Sequence, residues 1–356
     1  MNDANELISF IASMSGEGNL RVEENLGEGY VRLRVSEAER RQAKHDIQHV
    51  EDIVIEMLRN ARDAGADKVY LATTKEEGVR TLLFLDNGSG VPQDMQERIF
   101  DARVTSKLES MKMDRWGVHG RGMALFSIKQ NTDEARVVTS GVDLGSAFKV
   151  CVATDRLGER ADQSSWPQAV KDEDGRYVCA RGPHNIIRAA CEFALEELRC
   201  CDVYLGSPSE IAATLYAQAS SRLDTSRLLF IDDECELPVI DRLGLASDAE
   251  DFIRICSGLG LEMSERTAHR ILSGQIKPVR GVTARLLRER DSTSHAPAPV
   301  DLAKDRRGLR IAKDDMAQFS RAVERDFNDL AARYYLNLCG DPKIRVSRDR
   351  ITVTFD

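Results

Sequence analysis

From Val50 onward the pattern of residues leaves few choices for the backbone. Apolar side chains at Val50, Ile53, Val54, Met57, Ala61 and Ala64 recur at the spacing of one helix face, and Gly65 supplies a stop. The opposite face carries Glu56, Asn60 and Asp63, at i, i+4 and i+7. Two apolar segments follow, Lys68 to Thr73 and Arg80 to Asp86, separated by the polar turn Lys75-Glu76-Glu77-Gly78, which predicts an antiparallel strand pair. The second strand runs directly into Asp86-Asn87-Gly88-Ser89-Gly90. A helix that must bury one stripe beside strands that must bury one face predicts helix-on-sheet packing.

Each polar piece has an ordinary reading when taken alone. A polar helix face is what a solvated surface looks like, and Asp-Asn-Gly is a common tight turn. Gly88 and Gly90 acquire a further meaning next to the helix, because removing two side chains lets backbone approach a ligand closely. A third piece, Gly117-Val118-His119-Gly120-Arg121-Gly122, precedes a helical segment at Met123 to Gln130. A glycine-rich approach to a helix exposes unpaired N–H groups that hold phosphate oxygens, although Gly-x-x-Gly-x-Gly alone is not specific.

In this order and spacing the pieces resemble the boxes of the GHKL ATPases, which include gyrase B-type ATPases, the large ATP-dependent heat-shock chaperones, histidine kinases and MutL. The matching stretches are Glu56-Met-Leu-Arg-Asn60-Ala-Arg-Asp63-Ala, Asp86-Asn-Gly-Ser-Gly90 and Gly117-Val-His-Gly-Arg-Gly122-Met-Ala-Leu125, within residues 45 to 155. The resemblance implies an α+β Bergerat fold, a two-layer α/β sandwich with a mixed, mostly antiparallel sheet under helices. It also implies ATP and Mg as ligands. Asn60 resembles the family's Mg ligand, an oxygen donor suited to a hard cation that shares its shell with phosphates. Glu56 resembles the general base acting on the attacking water, and Asp63 completes that helix box. Asp86 resembles the acceptor of the adenine amino group, with Gly88 and Gly90 giving close access. Gly117, Val118, His119, Gly120, Arg121 and Gly122 resemble the lid over the phosphates, and Lys107 in Thr105-Ser-Lys adds a charge there. Ser146, in Gly145-Ser146, stands where the family has a Gly-Thr hydroxyl.

Glu56 also discriminates within the family. Histidine kinases usually have no water-activating Glu at that point and need a phospho-accepting histidine on an upstream hairpin, for which the 49 residues before Val50 leave too little chain. The segment Phe100-Asp-Ala-Arg-Val-Thr-Ser-Lys is most similar to MutL and to the B subunit of topoisomerase VI. In those proteins ATP closes a dimeric clamp, which implies a nucleotide-dependent homodimer here.

The 356 residues, 42% hydrophobic, exceed what one core usually holds. We expect an N-terminal extension (1–49), the GHKL core (50–155), an α/β continuation resembling a transducer (156–240) and a mostly helical C-terminal region (241–356) closing in a hairpin. A net charge of -9 argues against a uniformly basic nucleic-acid coat, so a DNA contact has to be local. Its candidate is Arg266 to Arg290, with seven Arg or Lys and one Glu, where Ser264 begins a capped helix. A solvated basic face is the other reading of that run. Within it, Lys277 in Gly274-Gln-Ile-Lys-Pro278 resembles the lysine that reaches the γ-phosphate in the clamp proteins. Eight scattered cysteines form no Cys-x-x-Cys pair, which points to neither a zinc site nor a disulfide framework. An acidic amino terminus and the lack of a long apolar run predict a cytoplasmic protein without a membrane span. Two functions of different class fit this reading. One is an ATP-driven clamp in DNA metabolism, and the other a chaperone-like or signalling ATPase that acts on protein partners without DNA.

Overall fold

The side chains of three adjacent strands alternate without a break between two separate apolar cores, and that alternation organises the molecule. The computed structural model describes residues 22–106, 112–114, 116–119, 122–160, 162–223, 231, 233–287, 313–334, 343–346 and 351–354. The main sheet has the order β12-β3-β4-β9-β8, formed by β3 (Lys68–Glu76), β4 (Val79–Asp86), β8 (Glu134–Gly141), β9 (Gly145–Ala153) and β12 (Asp202–Gly206). The β12 strand lies parallel to β3, and every other pairing is antiparallel. Val69 and Leu71 of β3, Leu82 and Phe84 of β4, and Phe148 and Val150 of β9 enter one core. Tyr70, Ala72, Leu83, Leu85 and Ala147 enter the other. This is the period of two that a sheet covered on both faces requires.

Helix α2 (Val50–Asp63) covers the first face. Its stripe of Val50, Ile53, Val54, Met57 and Leu58 is buried, each side chain contributing about 1.5 to 3 kcal/mol. The carboxylate of Asp52 accepts the His49 N–H at 2.9 Å and caps the start, while Gly65, at φ +77, turns the chain away at the end. Helix α1 (Glu37–Asp46) precedes it, begun by a Ser36 and Glu39 capping box. Helices α3 (Ala124–Asn131) and α4 (Ile186–Glu196) complete this layer.

The second face is covered by α5 (Pro208–Arg222), α6 (Ala249–Gly258) and α7 (Glu265–Leu272), through Ile211, Leu215, Phe252, Ile255 and Ile271. The mixed, mostly antiparallel sheet under helices is present as expected, and a further helical layer lies on its other side. The expected cap at Ser264 is observed, its side chain accepting the Thr267 N–H.

Smaller pieces border the main sheet. A three-stranded sheet joins β1 (Val22–Gly27), β2 (Tyr30–Leu33) and β5 (Val104–Thr105). Hairpins form from β6 (Lys112–Asp114) with β7 (Gly117–His119), and from β10 (Gln168–Lys171) with β11 (Tyr177–Arg181). Residues 93 to 100 hold two 3-10 turns, Gln93–Met95 and Arg98–Phe100. Bonds such as Met95 N–H to the Pro92 carbonyl at 3.0 Å close each turn after three residues.

By compactness the chain divides at Arg290. The described part of the second unit holds α8 (Lys313–Tyr334) and an antiparallel hairpin of β13 (Lys343–Val346) with β14 (Ile351–Thr354). Among the described residues no helix is long and apolar enough to cross a membrane.

Candidate nucleotide site

The C-terminal end of β4 lies beside the start of β9, with Asp86 directly opposite Ser146 in the antiparallel register. Opposed residues of such a pair point to the same side of the sheet, so carboxylate and hydroxyl stand together. Both are buried, at 4% and 3% exposure. One Asp86 oxygen accepts the Gly88 N–H at 2.8 Å, which closes the turn. Ser140 Oγ accepts the Val91 N–H and donates to the Gly145 carbonyl, both at 2.8 Å. Its single proton is thereby used, so in the 3.0 Å contact between the two hydroxyls Ser146 is the donor.

Glycine is required here by contact and not only by flexibility. At Gly88 an added Cβ would sit 2.9 Å from the Cβ and carbonyl oxygen of Ala64, because Ser89 N–H bonds that carbonyl at 2.8 Å. The turn is therefore pressed against the end of α2. Gly90, at φ +69, would place a Cβ 1.8 Å from the Gly141 oxygen, and Gly145, at φ +79, one 2.1 Å from the Asp86 oxygen.

The polar face of α2 forms the other side. Glu56, Asn60 and Asp63 line a cavity of about 570 Å³ together with Asp86, Gly90 and Ser146. That volume is in the range of small-molecule sites, roughly 300 to 1,000 Å³. The Asn60 side-chain nitrogen is buried without a hydrogen-bond partner, which leaves an amide in the cavity wall with unused polar capacity.

Next to this amide lies an ion-pair network that sequence reasoning did not assign. Arg59 bonds Glu56 and Asp114, while Arg62 bonds Asp63, Asp114 and Glu197. Burial opposes the charged Arg62 guanidinium, but hydrogen bonds to Asp63, Glu197 and Asp114 outweigh it and raise its pKa. Arg59 and Arg62 stand inside the first box, so their presence was visible. Two of their partners, Asp114 and Glu197, come 52 to 135 residues later, and no local pattern announces those contacts.

The glycine-rich stretch is arranged differently from the sequence expectation. Gly117, Val118 and His119 do not lead straight into a helix; their backbone forms β7, paired with β6, and α3 begins only at Ala124. Gly122 does line the cavity, at φ +66, with its carbonyl accepting the Arg103 N–H at 2.8 Å. Lys107, Gly120 and Arg121 lie outside the described residues. Lys277 is not brought to the cavity. It is exposed, and the neighbouring Ile276 and Val279 pack against the core on the opposite face of the sheet. The basic run 266–290 is divided: Arg266 and Arg270 are exposed on α7, whereas Arg285 stacks over Trp166 at 3.8 Å, and Arg288 and Arg290 lie outside the described residues.

A helix presents Glu, Asn and Asp to a cavity closed by an Asp-bearing strand end and tight glycine turns. Residues 47–148 match the family model described as "Histidine kinase-, DNA gyrase B-, and HSP90-like ATPase". Similar curated proteins include the DNA mismatch repair protein MutL of Brucella abortus (strain S19), 34% identical over 112 residues, covering 31% of this chain and 18% of that protein. MutL of Thermodesulfovibrio yellowstonii is 31% identical over 107 residues, 30% of this chain and 19% of that protein. MutL of Pediococcus pentosaceus is 31% identical over 115 residues, 32% and 17% respectively. The chain thus spans less than a fifth of the length of these relatives, and the likeness covers about a third of this chain.

Proposed function

We propose that the cavity binds ATP with Mg and that the chain hydrolyses it, working as a nucleotide-driven clamp in DNA metabolism. The observation that carries this reading is the convergence of Glu56, Asn60, Asp86 and Ser146 on one cavity. Asp86 would accept the adenine amino group, with the Ser146 hydroxyl beside it and Gly90 leaving room for the base. The Asn60 side-chain oxygen and the neighbouring Asp63 would suit a hard cation bound together with phosphates, while the unpartnered Asn60 nitrogen could donate to a phosphate oxygen. Mg would neutralise charge on the β- and γ-phosphates. Glu56, one helical turn from Asn60, would orient the attacking water and take its proton.

The role in DNA rests on the relatives, whose names place them in DNA mismatch repair. Exposed Arg266 and Arg270 on α7 offer cations for phosphate contacts. In a clamp of this kind ATP joins two copies of the chain.

One variant tests the chemistry. Glu56→Ala is expected to bind ATP with wild-type affinity and to lose about 10²-fold or more in turnover, the usual share of a general base. Wild-type turnover by Glu56→Ala refutes the assignment. Duplex DNA is expected to stimulate ATP turnover in low salt, with the effect fading as salt rises. An unchanged rate with duplex refutes the role in DNA.

A further inference from the structure

Arg59 stands between two carboxylates, and its side chain is only 3% exposed. One terminal guanidinium nitrogen donates to Glu56 at 2.7 Å, while Nε donates to Asp114 at 2.9 Å. Glu56 and Arg59 are neighbours on α2, but Asp114 comes from β6, the first strand of the hairpin whose second strand opens the glycine-rich stretch. Asp114 is itself held. Its other oxygen accepts the Trp116 N–H at 3.0 Å, Arg62 donates to it at 3.2 Å, and the Trp116 ring stacks on Phe193 of α4 at 6.2 Å between centroids.

A guanidinium is planar, so the directions of its Nε and terminal N–H donors are locked to one another. Moving Asp114 therefore turns the donor that Glu56 accepts. Breaking either contact would cost the buried guanidinium a charge-assisted hydrogen bond, which is unfavourable. The hairpin and the Glu56 carboxylate are mechanically joined through one side chain.

We propose that Arg59 is a positioning residue for Glu56, anchored by Asp114, so that the seating of the β6–β7 hairpin sets whether Glu56 is aligned on the attacking water. The proposal rests on the hydrolytic reading above. It differs from a merely structural ion pair, whose loss lowers stability and leaves the aligned chemistry intact.

The test compares kcat, affinity for a fluorescent ATP analogue and thermal melting in wild type, Asp114→Asn, Asp114→Glu, Arg59→Lys, Glu56→Gln and the double variant E56Q/D114N. Asp114→Asn keeps shape and hydrogen-bonding oxygen while removing charge, and so is the variant expected to fold. Asp114→Asn and Arg59→Lys should each lower kcat by about tenfold or more with nucleotide affinity retained, since small misplacements of a reacting group carry penalties of that size. Asp114→Glu should recover part of the loss. In the Glu56→Gln background Asp114→Asn should cause no further fall, because no carboxylate remains to be positioned. Wild-type kcat in both Asp114→Asn and Arg59→Lys, with Glu56→Gln inactive, overturns the positioning role and spares the hydrolytic reading. Equal losses in kcat, affinity and melting temperature also overturn it, as they mark a structural pair. A wild-type chain without ATP turnover overturns the hydrolytic reading and this proposal with it.

Discussion

Replacing Gly90 by Ala should damage the Asp86 end of the cavity far more than the same change at Gly78, although both glycines have positive φ, +69 and +82. At Gly78 an added Cβ meets nothing within 4 Å. The cost there is left-handed backbone strain of roughly 1 to 2 kcal/mol. It is partly offset by about 0.4 to 1 kcal/mol from a stiffer unfolded chain. At Gly90 the same Cβ falls 1.8 Å from the Gly141 oxygen, and real contacts essentially never come under 3.0 Å, so the two loops must separate by more than an ångström. That movement stretches the Asp143 N–H bond to the Ser89 carbonyl and the Val91 N–H bond to Ser140 Oγ, both 2.8 Å. Each contributes about 0.5 to 1.5 kcal/mol. Gly90→Ala should therefore destabilise by about 1 to 3 kcal/mol more than Gly78→Ala. Urea unfolding of both variants reads this difference, and titration with nucleotide should show weakened binding for Gly90→Ala alone. Equal destabilisation, or wild-type affinity in Gly90→Ala, would show that the close approach of these loops does not shape the site.

Two further perturbations separate the Asp86 end of the cavity from the ion pairs around Glu159. Asp86→Asn replaces one acceptor oxygen with a donor and should weaken nucleotide binding by about 1 to 3 kcal/mol, measured by calorimetric titration; unchanged affinity contradicts the proposed contact. Glu159 receives hydrogen bonds from Arg80 at 2.6 Å and Lys75 at 3.1 Å. Burial by itself would raise the Glu159 carboxyl, yet these two partners outweigh it and hold it below the usual carboxylate value. A depressed folded-state pKa stabilises fully above the unfolded value and is lost as pH falls through the folded one. The stability difference between wild type and Glu159→Gln should thus be present at neutral pH and shrink below about 4.5. A difference that stays constant down to pH 3 removes the ion pair as its source.

Short-range periodicity made much of the first half legible. The stripe from Val50 to Ala61 and the alternation along Lys68 to Thr73 and Arg80 to Asp86 each express a local repeat, and each became the element it suggested. Ser146 was found only by likeness to a family motif. What places it is register, since eight residues of β4 face eight of β9 and bring it opposite Asp86. Gly117 to His119 misled because glycine spacing cannot distinguish a helix approach from a hairpin strand, and the pairing partner at Lys112 to Asp114 carries no strong alternation of its own. Arg59 was legible as a residue and illegible as a contact. An arginine on a polar helix face normally extends into solvent, and only the arrival of Asp114 from another element buries it.

The second helical layer bears on the cavity through a loop that both faces share. Residues 139 to 145 comprise the end of β8, the turn after it and the start of β9, and on the cavity side they contribute Ser140, Gly141 and Gly145 to the contacts around Asp86 and Gly90. On the other side buried Arg242 donates to Thr139 Oγ1 at 2.8 Å and to the Leu237 carbonyl at 3.1 Å, while Val239 N–H bonds the Leu144 carbonyl at 2.7 Å. Val239 and Leu243 enter the same core as Phe252 and Ile255 of α6. The backbone beside Gly90 is therefore gripped from behind by residues outside the matched segment. A fragment cut at residue 148 would keep Asp86 and Ser146 but lose the support that holds residues 139 to 145 against Gly90. For this reason residues 237 to 243, which join the α5–α7 layer to that backbone, support the cavity from behind.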